Sequence, residues 1–306
     1  TMVNRISFEG NERTHDVVLR REMRQMEKSW VSNNLLEASK LRLDRLGFFK
    51  SVKYEKNAVP GSTDEVDVIF KVDEQFSGSI GGSLGYGAYG FSLGANYSEK
   101  NAFGTGNSIN VGITYSEWRQ DISFNFFDPY FTIDGIGLGY GAFIRKTDYG
   151  NFNLAAYNTD SYGGSVSFDL PISEIEQVGL SLSYDKTDLK TNLYSSRQLL
   201  DFYNSEGFDF TTYNASVSWR RITLDRGLFP TRGTSNGISL SFSLPGSNLN
   251  FGRLTHEFKY FQPLPRGLIF GYRSKIGYLF TYGDTESAPP YQYFYAGGMR
   301  SVRGFK

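Results

Sequence analysis

The sequence predicts two folds in one chain. An α+β domain of order β-α-α-β-β occupies residues 1–76, and an antiparallel transmembrane β-barrel occupies residues 77–306. Three observations lead to this prediction: a sharp change of composition near Phe76, strand-like alternation of about ten residues at a time after it, and an uneven distribution of turns between those strands.

The composition differs strongly on the two sides of Phe76. Charged residues fill 26 of the first 76 positions and 38 of the next 230. In contrast, 31 of the 34 glycines and 43 of the 50 aromatic residues follow Phe76. A charged segment of mixed helix and strand therefore precedes a segment that is rich in glycine and aromatic residues.

Charge and residue inventory exclude several classes of site. The 32 basic and 32 acidic residues cancel, which gives no basic excess for nucleic acid. The chain has no cysteine, so it forms no disulfide, thiolate metal site or cysteine nucleophile. His15 and His256 are the only histidines, which excludes a multi-histidine metal centre within the chain. We expect no enzyme activity, cofactor or metal.

The elements of the first domain follow from their periodicity. Residues 3–8 alternate as a strand, and Gly10 ends it. Leu19, Met23 and Met26 recur at helical spacing, with Thr14 or Asp16 as the expected cap of that helix. A second helix is expected over 32–46 with Gly47 as its stop, followed by strands at 49–54 and 66–72 around a turn at 59–62.

The small sheet that these elements form carries no visible catalytic group. An exposed edge of it would suit strand addition by an extended peptide, and a plain spacer domain is the alternative.

Strand patterns dominate the second segment. Apolar residues alternate with serine, asparagine, threonine and glycine, so one face is apolar and the other is small and neutral, as for a water-filled lumen. Aromatic residues at strand ends suit an interfacial girdle. Eleven strands are predicted, at about 77–87, 89–99, 106–117, 119–128, 135–147, 160–171, 177–188, 212–223, 234–244, 253–262 and 268–280.

The lengths of the connections support a membrane barrel. The long ones, about 148–159, 189–211 and 281 onward, follow odd-numbered strands and therefore share one side. Proline-containing connections follow even-numbered strands on the other side. Long loops outside and tighter turns in the periplasm are typical of outer-membrane barrels. Because such barrels usually have an even number of strands, we expect further strands beyond Lys306.

Several motifs resemble one family over the whole chain. They are LDRGLFPTRG at 224–233, YAGGMRSVRGF at 295–305, RREMRQME at 20–27, LGFF at 46–49 and FDPYF at 127–131. The set is similar to the BamA family, the barrel subunits of the assembly machines of Gram-negative outer membranes. Residues 3–75 look like the last POTRA domain of that family, and the barrel segment resembles the first eleven of its sixteen strands.

The resemblance implies a function without catalysis. Members of the family accept unfolded outer-membrane proteins from the periplasm and help them fold into the bilayer. Their first strand pairs weakly with the last, and its exposed edge templates client strands. We therefore expect unfolded clients, accessory lipoproteins and outer-membrane lipid as partners, and a periplasmic POTRA domain in the outer membrane of a bacterial cell.

The resemblance places the lateral seam on the first barrel strand. Glycine weakens the interior of a strand, which suits a strand that is easily parted. A crowded lumen that only glycine fits is the alternative reading. The expected seam residues are Gly78, Ser79, Ile80, Gly81, Gly82, Ser83, Leu84, Gly85 and Tyr86.

A second expected site is a loop lock formed by Val302, Arg303, Gly304 and Phe305. In the family the motif arginine folds back into the lumen and pairs with carboxylates on later strands. Removing one partner of such a buried pair leaves an unpaired charge. We predict that Arg303→Ala lowers the heat resistance of the barrel or its assembly activity, and wild-type values of both would contradict this.

Two further sets of residues come from the resemblance and the local sequence. Arg20 and Glu27 match the helix on which the family docks a lipoprotein, although an ordinary solvated helix face is the alternative. The second set is expected to form a structural turn and comprises Asp225, Arg226, Gly227, Pro230 and Gly233. The side chains of Asp225 and Arg226 could pair in this turn.

Two other functions remain open at this point. A POTRA-barrel transporter of the two-partner secretion type shares the domain order and the loop motif. A passive porin is disfavoured by the preceding domain.

Overall fold

A computed structural model of the chain describes residues 1–87, 90–150, 156–192 and 195–294. It contains a three-stranded sheet and an eleven-stranded antiparallel sheet, which confirms the predicted fold class and the strand count. No helix among the described residues is long and apolar enough to cross a membrane.

The first sheet has the order β1-β3-β2. Strand β1 (Met2–Glu9) runs parallel to β3 (Glu65–Glu74), which is antiparallel to β2 (Phe49–Ala58). Helix α2 (Asn33–Leu46) packs on β2 and buries Leu36 and Leu43 in the core of this domain. Gly47 ends α2 in the left-handed conformation (φ 73°), as predicted.

Helix α1 (Asp16–Arg20) is much shorter than the predicted helix. Gln25 explains the difference, because its fully buried side chain organises a loop in place of further helical turns. The Gln25 amide donates to the Ser29 hydroxyl (2.8 Å) and its oxygen accepts from the Ser32 N–H (2.9 Å). Met26, which the helical spacing placed beside Leu19, is 65% exposed.

The predicted helix cap at Thr14 or Asp16 is wrong. His15 occupies the cap position of α1, and no side chain caps the helix. The Thr14 N–H donates to the Glu74 carboxylate instead (2.7 Å), and the Thr14 hydroxyl accepts from the Asn101 amide (2.9 Å). Burial alone would raise the pKa of Glu74, but the bonds from Thr14 and from the Arg13 N–H together lower it.

The large sheet runs in sequence order from β4 to β14. Its first strands are β4 (Gly78–Gly87), β5 (Gly90–Ala102), β6 (Asn107–Ser116), β7 (Arg119–Asp128), β8 (Gly137–Asp148) and β9 (Tyr157–Pro171). Its remaining strands are β10 (Glu176–Thr191), β11 (Asp209–Ile222), β12 (Gly233–Ser243), β13 (Phe251–Pro263) and β14 (Ile269–Thr281).

The register of the strands places apolar residues on one face of this sheet and small polar residues on the other. One cross-strand row is apolar and largely exposed: Phe168, Leu180, Val217, Leu240, Leu254 and Tyr278. The neighbouring row on the opposite face is a serine ladder of Ser167, Ser181, Ser216 and Ser241. An exposed apolar face opposite a small polar face is the arrangement of a barrel that faces lipid.

Aromatic pairs lie near both ends of the apolar face. Tyr184 contacts Tyr213 toward one end, with ring centroids 5.5 Å apart. Tyr260 contacts Phe270 toward the other end, at 6.4 Å. These pairs fit the two interfacial girdles that the sequence predicts.

A packed cap follows strand β10 on the side of the long connections. The helix α3 (Arg197–Glu206) lies there, where only a loop was expected. Ser196 caps it by accepting from the Leu199 N–H (3.3 Å). Leu199 and Phe202 pack into a buried cluster with Phe210 and Leu249.

The chain forms two compact units. The first comprises residues 1–81 with 96–110, and the second comprises 82–95 with 111 onward. The first unit thus contains parts of β4, β5 and β6, and the domain boundary near Phe76 stays a prediction.

Candidate functional site

Strand β4 is the first strand of the large sheet and lies at its edge. Within the described residues its only neighbour in the sheet is β5, and β14 lies at the opposite edge. The side chains on the apolar face of β4 are strongly exposed: Ile80 is 86%, Leu84 74% and Tyr86 88% exposed. The expected seam strand therefore presents both an unpaired backbone edge and an apolar face.

The glycines of β4 do not share one explanation. A Cβ on Gly81 would collide with the Asn96 side chain, and a Cβ on Gly85 would come within 2.8 Å of the Ser92 hydroxyl. At Gly82 the nearest atom is the Gly94 carbonyl oxygen at 3.9 Å, so a side chain has room there. Crowding thus favours glycine at Gly81 and Gly85, whereas at Gly82 a weak strand remains the better reading.

Arg20 and Glu27 contact each other and the edge of β1. The Arg20 guanidinium pairs with Glu27 (3.2 Å) and donates to the Ile6 carbonyl (3.2 Å). The Glu27 Oε1 atom accepts from the Ile6 N–H (2.8 Å). This bond is the main reason why the pKa of Glu27 is lowered, and Arg20 lowers it further. Burial has the opposite effect but is weaker than the bond from Ile6. The pair thus occupies both edge groups of Ile6.

Part of this pair remains available to a partner. Both side chains are more than two-fifths exposed. No bond reaches the Glu27 Oε2 atom from the described residues, because Ile6 and Arg20 both use Oε1. The pair has a structural role, and the Glu27 side chain stays 41% exposed.

The β11–β12 turn is a hairpin clamped by Asp225. The Asp225 carboxylate accepts from the Thr231 hydroxyl (2.5 Å), the Thr231 N–H (2.9 Å) and the Arg232 N–H (3.2 Å). The two bonds from Thr231, with a smaller contribution from the Arg232 N–H, hold the pKa of Asp225 well below its usual range, although burial opposes them. Gly233 is required because its φ is +107° and a Cβ would collide with the Thr223 carbonyl.

Arg226 adds an exposed ion pair to this turn. Its guanidinium lies 3.5 Å from the Asp225 carboxylate, as the sequence suggested. Such a pair contributes little to stability. Gly227 has no atom within 4 Å of a hypothetical Cβ, and Pro230 is half-buried.

One predicted part of the site cannot be located, and one part was not predicted. Val302, Arg303, Gly304 and Phe305 lie outside the described residues, so the loop lock stays a prediction. The tip of the β11–β12 turn exposes Leu228 (81%) and Phe229 (87%), which no prediction singled out. Two adjacent large apolar residues between a glycine and a proline are the signal that could have identified this tip.

Family models match both parts of the chain. The surface antigen variable number repeat model (POTRA) matches residues 1–75, and the Omp85 superfamily domain matches residues 101–306. The chain belongs to the Omp85 superfamily.

A curated relative and a solved structure agree with this assignment. The outer membrane protein assembly factor BamA of Neisseria meningitidis is 32% identical over 99% of this chain and 40% of its own length. The crystal structure of BamA from Haemophilus ducreyi lacking POTRA domains 1–3 is 32% identical with a TM-score of 0.85, covering 99% of this chain and 60% of that one. This chain therefore spans less than two-thirds of both.

A more distant structure shares the Omp85 fold alone. CdiB from Acinetobacter baumannii is 16% identical with a TM-score of 0.59, over 99% of this chain and 56% of that one. This likeness concerns the fold, because the sequence identity is low. The Omp85 barrel and the BamA relatives place the chain in the outer membrane.

Proposed function

We propose that the chain is part of an assembly factor that helps unfolded β-barrel proteins fold into the bacterial outer membrane, and that β4 templates their strands at a lateral seam. The observation that carries this proposal is the exposed edge of β4, with its apolar face and the sterically unneeded Gly82. The names of the BamA relatives support the assembly role.

Backbone energetics give the mechanism. An unpaired N–H or C=O group costs several kcal/mol in the hydrocarbon core of a bilayer. The β4 edge is therefore stable in lipid only when another strand pairs with it, either a closing strand of the same barrel or the strand of a client. A client strand that replaces the closing strand gains main-chain hydrogen bonds at once, so folding is guided without a catalytic residue.

The partners follow from the same proposal. They are unfolded outer-membrane proteins, accessory lipoproteins and outer-membrane lipid, without nucleic acid or cofactor. The POTRA domain lies in the periplasm, where unfolded clients arrive. The exposure of the Arg20 and Glu27 side chains supports the use of this pair by a lipoprotein.

Reconstitution tests the proposal. The full-length protein with its accessory lipoproteins is placed in proteoliposomes, and folding of a urea-unfolded barrel client is followed by heat-modifiable gel mobility. Folding should be faster than in empty liposomes, and a crosslink between β4 and the final strand should abolish the gain. If a soluble polypeptide instead passes into the vesicle lumen and no client folds faster, the chain is part of a secretion transporter.

A further inference from the structure

The tip of the β11–β12 turn combines two features that are unfavourable in an isolated protein. Phe229 has a left-handed backbone (φ 50°), a region that L-residues other than asparagine and aspartate seldom adopt. Its ring is also 87% exposed, beside Leu228 at 81%. Backbone strain at a residue whose side chain is almost fully exposed points to a role for that side chain outside this chain.

The turn is built to hold this tip in place. Asp225 accepts three hydrogen bonds from Thr231 and Arg232, and the Asp225 N–H donates to the Arg232 carbonyl (3.1 Å). The hairpin ladder therefore continues past the end of β11 up to the tip. Leu228 and Phe229 protrude from a rigid support and do not collapse onto it.

Membrane lipid is too far away to cover the tip. On the apolar face of β11 the order is Val217, Trp219 and Arg221 toward the turn, which is the usual order of acyl core, interface and water. The hairpin continues past Ile222, because the Thr223 and Asp225 N–H groups donate to the Thr234 and Arg232 carbonyls. An extended chain from Trp219 to Asp225 spans about 20 Å at 3.3 Å per residue. With a strand tilt of about 40° the tip lies about 15 Å beyond the interfacial Trp219.

The surroundings of the tip are basic. Arg220, Arg221, Arg226 and Arg232 lie between residues 219 and 233, against the single carboxylate of Asp225. Arg221 pairs with Glu176 (3.4 Å) and Arg226 with Asp225 (3.5 Å). Arg220 and Arg232 are exposed, and their side chains have no ion pair within the described residues. An acidic surface complements this turn.

The shape of the tip selects a kind of partner. Leu228 and Phe229 form a convex apolar knob, whereas an extended peptide needs a groove or an open strand edge. A convex aromatic anchor surrounded by charges fits a preformed apolar pocket on a folded protein. We propose that Leu228 and Phe229 dock into an apolar pocket with acidic residues at its rim, on a folded periplasmic partner protein.

Direct binding to the full-length protein in nanodiscs tests this proposal. The probes are the purified accessory lipoproteins, added one at a time. This choice and the periplasmic location of the turn rest on the proposed assembly function. Phe229→Ser should weaken the binding of one of them about thirtyfold, the size of an interface hot spot. Arg220→Glu with Arg232→Glu should weaken it further and reduce its dependence on salt.

A matched control is available on the β7–β8 turn. Ile133 is fully exposed in a turn at the same end of the strands, but its nearest charged neighbours in sequence are Asp128 and Asp134. Ile133→Ser should leave binding unchanged. Both variants should keep wild-type heat-modifiable mobility, because neither side chain is packed.

Wild-type binding of every lipoprotein by Phe229→Ser would overturn the proposal, and so would equal losses in Phe229→Ser and Ile133→Ser. A photocrosslinker at Phe229 that captures unfolded client but no lipoprotein would also overturn it. Client folding is measured separately in the same variants. Failure of the assembly function is therefore distinguished from failure of the docking site.

Discussion

Arg20 and Glu27 show how one pair of side chains can serve two roles. They satisfy the N–H and C=O groups of Ile6, which lie on the edge of β1 away from β3. A helix face with simple charge pairs, the plain alternative from the sequence, accounts only for the bond between Arg20 and Asp16 (3.1 Å). The sequence could not reveal the contact with Ile6, because it joins residues 14 and 21 positions apart.

Removing the Glu27 carboxylate should loosen β1. Glu27→Ala leaves the Ile6 N–H without its acceptor, which costs about 1 kcal/mol and raises amide exchange about fivefold. Hydrogen exchange of peptides that cover β1 measures this in the full-length protein. Asp16→Ala is the matched control, because it removes the other carboxylate on Arg20 without touching β1. Equal exchange in both variants would contradict the structural role.

The lowered pKa of Glu27 sets the pH range of this contribution. A carboxyl group with a pKa lower in the folded state stabilises the fold fully above its ordinary pKa, about 4.3. The contribution is lost as the pH falls through the lower, folded-state value. The intrinsic-rate-corrected protection of β1 should therefore stay constant from pH 7 to 5 and decrease only below about 4. In Glu27→Gln this pH dependence should disappear.

Asp225 governs the order of its turn in the same way. Asp225→Ala removes the acceptor of three hydrogen bonds, so exchange in residues 226–232 should rise strongly while β10 and β13 stay protected. Arg226→Ala serves as the comparison, because it removes only an exposed ion pair and should change little. Normal protection of the turn in Asp225→Ala would show that the clamp is not needed.

At the scale of elements, the helices were harder to predict than the strands. Alternation located all eleven strands of the large sheet, because lipid and lumen impose opposite demands on successive side chains. Helix α1 was predicted too long, since spacing alone cannot reveal that Gln25 is buried and binds the following loop. Helix α3 was missed because its ten residues lie in a polar connection.

The packing of α3 makes a prediction about the cap. Phe202 is buried in the cap cluster, and Phe202→Ala should destabilise the cap by about 3 kcal/mol or more. Exchange in residues 197–210 should then approach that of an open loop. Leu200, on the same helix, is 40% exposed, and Leu200→Ala should have a small effect. A cap that stays protected in Phe202→Ala would show that α3 is held by other contacts.

At the scale of the whole molecule, the assembly function that we propose depends on two sheet edges and on one loop motif. The edges formed by β4 and β14 follow from strand order, which the sequence predicted. The contacts of Arg303 could not be derived in the same way, because alternation along one strand does not reveal which distant carboxylate a loop arginine meets. Long-range closure depends on residues that local patterns do not contain.

The seam gives the last prediction, through two adjacent glycines of β4. Gly82 has room for a side chain on the exposed face, and valine there raises strand propensity by up to about 1 kcal/mol. If the closed seam must open before a client strand pairs with β4, Gly82→Val should leave the barrel heat-resistant but slow client folding about fivefold in proteoliposomes. Gly81→Val, which collides with Asn96, should lower heat resistance as well. An unchanged or faster rate in Gly82→Val would mean that opening of the seam does not limit assembly.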